Sequence, residues 1–404
     1  MNRLLLMLSA MLLSAIFTAR FATSIEAAPS EQSLRENVVK GNTAFAVQLY
    51  RELGDKEGNL FFSSYSVSAA LGMAYAGARG NTAREMKEVL HFQLDQTKLH
   101  PAFKSLNKEL VATALKAGQK LNIANALVLT GGDVSGEFKT ILKDNYDAAI
   151  FRGGLDTING WVKQKTEGKI EKILEKLDSN SVCVLLNAIY FKGIWESPFQ
   201  KSSTHDAPFS MSASKQVKVS LMYHKSDFKI LTEKDFQAVS IPYKGKNLSM
   251  VILLPKAVDG LATLEKQLTT QSLKERLAEL DEQPVQKIEL YLPKLKLETT
   301  YDLVDPCEKM GMKDAFALEK ADFSGMGWPK GSLRISQIKH KAFVEVNEEG
   351  TEAGAATAVE MAKMAMAAHD YPVFRADHPF LFIIRDNQSD TILFMGRIVN
   401  PNNK

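Results

Sequence analysis

HKAFVEVNEEGTEAGAATAVEMAKMAM, residues 340–366, changes character twice within 27 positions. It opens as a strand, with Phe343, Val344 and Val346 flanking Glu345. The acidic pair Glu348 and Glu349 then leads to Gly350, a residue able to take backbone angles that others avoid. From Thr351 to Ala358, seven of eight residues are Ala, Gly or Thr, and Glu352 carries the single charge. Side chains this small fit between other strands without overpacking, yet they bury too little apolar surface to hold a core. The stretch reads as a loop able to become a strand.

Upstream, Arg3 precedes the mostly apolar run Leu4 to Phe17, LLLMLSAMLLSAIF. That run is shorter than the roughly 20 residues a membrane span needs, so residues 1–28 read as a secretory signal peptide. Cleavage is expected after Ala22-Thr23-Ser24 or near Ala27 and Ala28, a retained anchor being the alternative. The protein is therefore expected to be secreted and extracellular, with no membrane association. Residues 29–404 hold no Pro/Gly/Ser-rich linker, low-complexity tract or repeat at which to divide them. An apolar content of 45% suits one large core, and a net charge of +3 gives no electrostatic case for nucleic acid.

Early periodicity is helical: Leu34, Val38, Phe45 and Leu49 share one face. Pro101 is expected to open a second helix carrying Phe103, Leu106 and Leu110. Phe138, Ile141 and Leu142 mark a third, and Ile158, Trp161 and Val162 a fourth. Strands dominate later. SMVILLP (249–255) is a buried run, and Ile288, Leu290 and Leu292 alternate with polar residues or Tyr291. Helices first and strands afterwards indicate an α+β fold.

Catalytic motifs are missing: no Gly-x-Ser-x-Gly elbow, Walker loop or His-Glu-x-x-His occurs, and the seven histidines are scattered. Ser63 and Ser66 follow a strand-like Phe61-Phe62 and precede a helix, which makes them capping residues before they are nucleophiles. Cys183 and Cys307 make no disulfide framework, and Cys183, in VCVLLNAIYF, reads as a buried thiol. Asn247-Leu248-Ser249 and Asn387-Gln388-Ser389 are N-glycosylation sequons in expected turns.

EEGTEAGAAT closely resembles the hinge of the reactive-centre loop in inhibitory serpins, the serine protease inhibitors. NLFFSSYSVSAALGMAYAGARGNT (59–82), LLNAIYFKGIWESPF (185–199) and ADHPFLFIIRDNQSDTILFMGRIVNP (376–401) also match, in serpin order and near serpin spacing. The resemblance implies a single serpin domain of three β-sheets and eight or nine helices. An exposed reactive-centre loop would run over about 348–374, and Cys307 would sit on a helix distant from Cys183.

It further implies a protease inhibitor rather than an enzyme, cofactor-free and monomeric, that forms a covalent 1:1 complex with a serine protease. A protease would cut Met364–Ala365, or Lys363–Met364 if the loop is one residue shorter. Elastase- or chymotrypsin-like enzymes suit the first bond and trypsin-like enzymes the second. The hinge would comprise Glu348, Gly350, Thr351, Ala353, Ala355, Ala356 and Thr357. A shutter under the main sheet would join Ser63, Ser66, Asn187 and His340, and a breach at its top Trp195, Lys294 and Glu348. Ser64 stands where most serpins have proline, which predicts lower stability. Lys98, Lys104 and Lys108 are a sparse candidate for glycosaminoglycan binding. The competing class is a non-inhibitory serpin: a carrier, chaperone or storage protein.

Overall fold

The computed structural model describes residues 29–176, 183–351 and 371–403. The expected signal peptide (1–28), the hinge residues Ala353, Ala355, Ala356 and Thr357, and both candidate bonds (Lys363, Met364, Ala365) lie outside these residues.

The first half is mainly helical: α1 (Glu31–Gly54), β1 (Leu60–Phe62), α2 (Ser64–Gly77), α3 (Gly80–Val89), α4 (Gln96–Lys116), β2 (Lys120–Leu129), α5 (Gly136–Tyr146), β3 (Ala149–Arg152) and α6 (Leu155–Lys165). Strands follow: β4 (Cys183–Ile194), β5 (His205–Ser212), β6 (Lys215–Thr232), β7 (Phe236–Pro242) and β8 (Leu248–Pro255). Next come α7 (Leu261–Lys266), α8 (Thr270–Glu282), β9 (Val285–Pro293), β10 (Leu295–Asp302) and α9 (Val304–Met310). The chain ends with β11 (Ile335–Val346), β12 (Gly350–Thr351), β13 (Val373–Arg375), β14 (Phe380–Asp386) and β15 (Ile392–Ile398).

Local chemistry accounts for several of these elements. Ser30 caps α1 by accepting from the Ser33 amide, and the expected face is buried at Val38, Phe45 and Leu49. Helix α2 is buried along all its residues, as a central helix apolar on every side must be. Pro101 does not open its helix. It falls in the second turn of α4, where it removes one ladder bond and the surrounding apolar contacts of Leu99, Phe103 and Leu106 outweigh the loss. All of β8 is buried, and β9 alternates as read.

Six strands form one sheet in the order β10-β11-β12-β4-β2-β3, with β11 also pairing β4 directly. Alternation divides its faces. Leu121, Leu127, Cys183, Leu185, Ile189, Ile338 and Val344 join the main core. Ala124, Ala126, Val184, Leu186 and Tyr190 lie under Ile158 and Val162 of α6 on the other face. The other network has nine strands. Its third-sheet portion is β5, the first part of β6, β9 and β13, and it is continuous with β7, β8, β14, β15 and β1 because β6 is 18 residues long. Both ends of the expected loop are strand rather than loop: Gly350–Thr351 is β12, and Val373–Arg375 pairs with β9.

Cys183 and Cys307, the latter on α9, are free and buried. Burial pushes each thiol up to about 12, so neither is a nucleophile at neutral pH. Among the described residues no helix is long and apolar enough to cross a membrane, and no group of three or more His, Cys, Asp or Glu could hold a metal.

Candidate functional site

Strands β4 and β11 are parallel neighbours over eight residue pairs, from Ile335↔Cys183 to Phe343↔Tyr190. Past Tyr190 they part. Asn347 and Gly350 close a tight turn with paired backbone bonds of 2.8 and 3.3 Å, and the returning Gly350–Thr351 enters the gap. Thr351 pairs with Val346 of β11 on one side and Gly193 of β4 on the other, antiparallel to both. At Gly350 an added Cβ would stand 2.0 Å from the Gly193 carbonyl oxygen and φ is +156°, so only glycine fits.

Around this entry point the three residues expected at the breach converge. Lys294 Nζ lies 3.0 Å from Glu348 Oε2, and Thr204 Oγ1 donates to Glu348 Oε1 at 2.9 Å. Burial opposes charge on Glu348. Its own backbone amide, Lys294 and Thr204 outweigh that and hold the carboxyl below its usual range. Trp195 Nε1 donates to the Asn347 carbonyl at 3.0 Å, while its ring stacks on Tyr243 at 4.6 Å. It is thus both core packing and a clasp on the turn. Tyr243 OH in turn meets Thr351 Oγ1 at 2.7 Å, with Thr351 fully buried.

Lower in the same seam, Ser63, Ser66, Asn187 and His340 come together from three elements. The Ser63 amide donates to His340 Nε2 at 3.0 Å, which makes that nitrogen an acceptor and puts the proton on Nδ1. His340 Nδ1 then donates to Asn187 Oδ1 at 2.6 Å. Asn187 Nδ2 reaches the Ser66 carbonyl at 3.1 Å, Ser66 Oγ, and Asn125 Oδ1 at 2.6 Å. Burial pushes the imidazole down to about 3, partly offset by its hydrogen bond with Asn187. Ser63 caps α2 by accepting from the Ser66 amide and gives its hydroxyl proton to the Leu393 carbonyl at 2.6 Å. Ser64 replaces what proline would contribute with another bond, to the Ile392 carbonyl at 3.1 Å.

Sequence reasoning missed Asn125, Thr204 and Tyr243. Asn125 had a signal, a polar residue inside the apolar run of β2; Thr204 and Tyr243 had none. The two sequons turn out to be neighbours. The Asn387 amide donates to the Asn247 carbonyl at 2.7 Å, and Ser249 Oγ donates to Asn387 Oδ1 at 2.7 Å. Lys98, Lys104 and Lys108 are exposed on α4, with Glu109 beside them paired to Arg35 at 3.0 Å.

The profile of the family "Serpin (serine protease inhibitor)" matches residues 40–401. The chain is 41% identical over 387 residues to a leukocyte elastase inhibitor of Bos taurus, covering 91% of this chain and 100% of the relative. It is 40% identical over 385 residues to Iris of Ixodes ricinus, covering 91% and 99%. Native tengpin, a thermophilic serpin, superposes with a TM-score of 0.81 at 30% identity, over 90% of this chain and 94% of that one. Serpin48 of Tenebrio molitor gives 0.80 at 31% identity, over 90% and 98%.

Proposed function

The chain belongs to the serpin family of serine protease inhibitors, and from that premise we propose that it is a secreted suicide inhibitor of an elastase- or chymotrypsin-like protease. It is an inhibitor and not an enzyme. The observation that carries the reading is Thr351, seated between β11 and β4 where those strands diverge. Insertion of the reactive loop into the main sheet is a known property of serpins. A protease cuts the bait bond, is held as an acyl-enzyme, and is carried along as the freed strand fills the sheet.

Extending the register of β12 gives this insertion a specific course. Residue 353 meets 191 and 344, residue 355 meets 189 and 342, and Thr357 arrives between Asn187 and His340. The strand therefore has to break the Asn187–His340 bond, and the Thr357 hydroxyl is there to satisfy both groups afterwards. One parallel ladder is exchanged for two antiparallel ones, which are slightly stronger per residue. A net gain of about ten ladder bonds at roughly 1 kcal/mol each rivals the stability of a domain. The native state is accordingly held by its barrier. Thr351 faces inward, so Ala353, Ala355 and Thr357 follow it into the core while Glu352 faces solvent.

Met364–Ala365 is the proposed bait bond, with Lys363–Met364 as the alternative. An unbranched apolar methionine fits an elastase- or chymotrypsin-like pocket, and the relative named leukocyte elastase inhibitor supports that choice. The apolar run after Arg3 supports secretion, with sugars on Asn247 and Asn387. The test is to incubate the secreted protein with leukocyte elastase, chymotrypsin and trypsin and look for SDS-resistant 1:1 complexes. The C-terminal fragment released on denaturation begins at Ala365 for the first bond and Met364 for the second. Absence of a complex with every enzyme would sink the reading in favour of a non-inhibitory member.

A further inference from the structure

We propose that Ser197, His224 and Ser226 are positioning residues for loop insertion, forming a proton-responsive anchor on the segment that clasps the hinge, so that acid releases the clasp and speeds insertion. This rests on the inhibitor reading and deepens it.

The clasp is residues 195–204, which continue directly from β4. Besides the Trp195 and Thr204 side-chain bonds, the Trp195 amide donates to the Glu349 carbonyl at 3.0 Å and the Phe199 amide to the Glu348 carbonyl at 2.8 Å. Lys201 Nζ lies 2.9 Å from Glu349 Oε1. The segment thereby ties the end of β4 to the turn that follows β11, and these two strands must part before residue 353 and its successors can enter. A native state held by its barrier converts at a rate set by what has to yield first, and this tie lies at the entry point.

A polar chain in an apolar position fastens the tie to β6. On the face of β6 that packs inward, Met222, His224, Ser226 and Phe228 follow one another, opposite Leu292, Leu290, Ile288 and Gln286 of β9. Met222 and Phe228 are buried, and stability alone would place apolar side chains between them. Ser226 Oγ donates to Ser197 Oγ at 3.2 Å, which leaves the Ser197 proton for His224 Nε2 at 2.7 Å. The His224 ring also lies 5.4 Å from that of Phe199 and 6.1 Å from that of Phe228. Pro198, between Ser197 and Phe199, has a fixed φ, so movement at Ser197 is carried to the amide that holds Glu348.

Protonation acts on this chain. An imidazolium offers no acceptor for the Ser197 proton, so both hydroxyls must reverse around a charge set beside Leu290. Charged groups on the adjoining elements are engaged elsewhere. Lys225 and Glu289 pair at 3.8 Å on the opposite face, Glu196 accepts from the Gly245 amide at 2.9 Å, and Lys201 and Lys294 hold Glu349 and Glu348. Burial accordingly lowers the His224 pKa from the ordinary 6.5. The anchor is intact above about pH 6.5 and weakens as pH falls below it. His340 and His100 stay neutral down to about 3 and about 4, so a change near pH 6 is not theirs.

The experiment incubates uncleaved wild type, His224→Gln and Ser197→Ala at about pH 7.5 and about pH 5.5, at one temperature. Conversion is the fraction that has lost the ability to form SDS-resistant complexes with the fastest of leukocyte elastase, chymotrypsin and trypsin while its melting temperature has risen. Activity lost without that rise does not count. Wild type should convert about fivefold faster at the lower pH, the effect of one hydrogen bond on the barrier. Glutamine accepts from Ser197 without titrating, so His224→Gln should keep the slow wild-type rate at both pH values. Ser197→Ala, lacking the bond throughout, should convert at the faster rate at both. Equal wild-type rates at the two pH values overturn the inference and leave the inhibitor reading intact. So does acid acceleration that persists in His224→Gln, or a Ser197→Ala protein that behaves as wild type. If wild type forms complexes with none of the enzymes, the inhibitor reading itself has failed and this inference falls with it.

Discussion

Thr351→Arg should turn the inhibitor into a substrate. Thr351 is fully buried, with its hydroxyl 2.7 Å from Tyr243 OH and the Tyr243 ring stacked against Trp195. Glu348, the buried carboxylate of the same turn, is already held by Lys294 and Thr204. An arginine in this seat is a buried charge without a partner, a cost of about 3–5 kcal/mol. The native protein can relieve it by withdrawing a two-residue strand. An inserting loop cannot, because every later residue passes through the register that residue 351 sets. Adding about 3 kcal/mol to the insertion barrier slows that step about 150-fold, while deacylation at the distant bond keeps its rate. Titrating a fixed amount of elastase should then show the stoichiometry of inhibition rising well above one. Gels should show cleaved protein in place of SDS-resistant complex. Wild-type stoichiometry in Thr351→Arg would refute the argument that insertion begins at this seat.

Cleavage within roughly 358–370 should raise the melting temperature sharply as the freed strand enters the sheet; a nicked protein that melts no higher than the intact one contradicts a metastable native state. Acid should destabilise the fold through His340 and His100, which burial pushes down to about 3 and about 4 from 6.5. The unfolded chain takes up these protons first, so the stabilisation is complete above about pH 6.5 and is lost as pH falls toward 4 and then 3, by about 5 kcal/mol for His340. His378 has the opposite sign, since Asp377 and the Pro255 carbonyl raise its pKa against burial, and its contribution fades as pH rises. Melting temperatures that stay flat from pH 7 to 4 would refute this assignment. Ser64→Pro should be nearly neutral. Proline suits the first position of α2 and gains about 0.4–1 kcal/mol, but it gives up the Ser64–Ile392 bond, about 0.5–1.5 kcal/mol. A change beyond about 3 kcal/mol in chemical denaturation would show that one of these terms is misjudged.

The expectation that Ser64 weakens the fold illustrates where sequence reading stops. That a turn without proline is looser is a local statement, and it was legible. That the hydroxyl reaches a carbonyl of β15, more than 300 positions away in the chain, was not. The same division runs through the molecule. The buried face of α1, the cap at Ser63, the apolar run of β8 and the alternation of β9 depend on neighbours within a few residues, and pattern alone determined them. Pro101 was misread because its place in α4 depends on what Leu99 and Phe103 pack against. Ser63, Ser66, Asn187 and His340 could be named together only through family resemblance. Nothing local specifies that Asn187 meets His340, 153 positions away, or that Asn125 completes the group. Those contacts depend on strand register, and register is decided by the packing of the whole sheet: a one-residue slip of β4 would turn Asn187, and one of β11 would turn His340, to the opposite face.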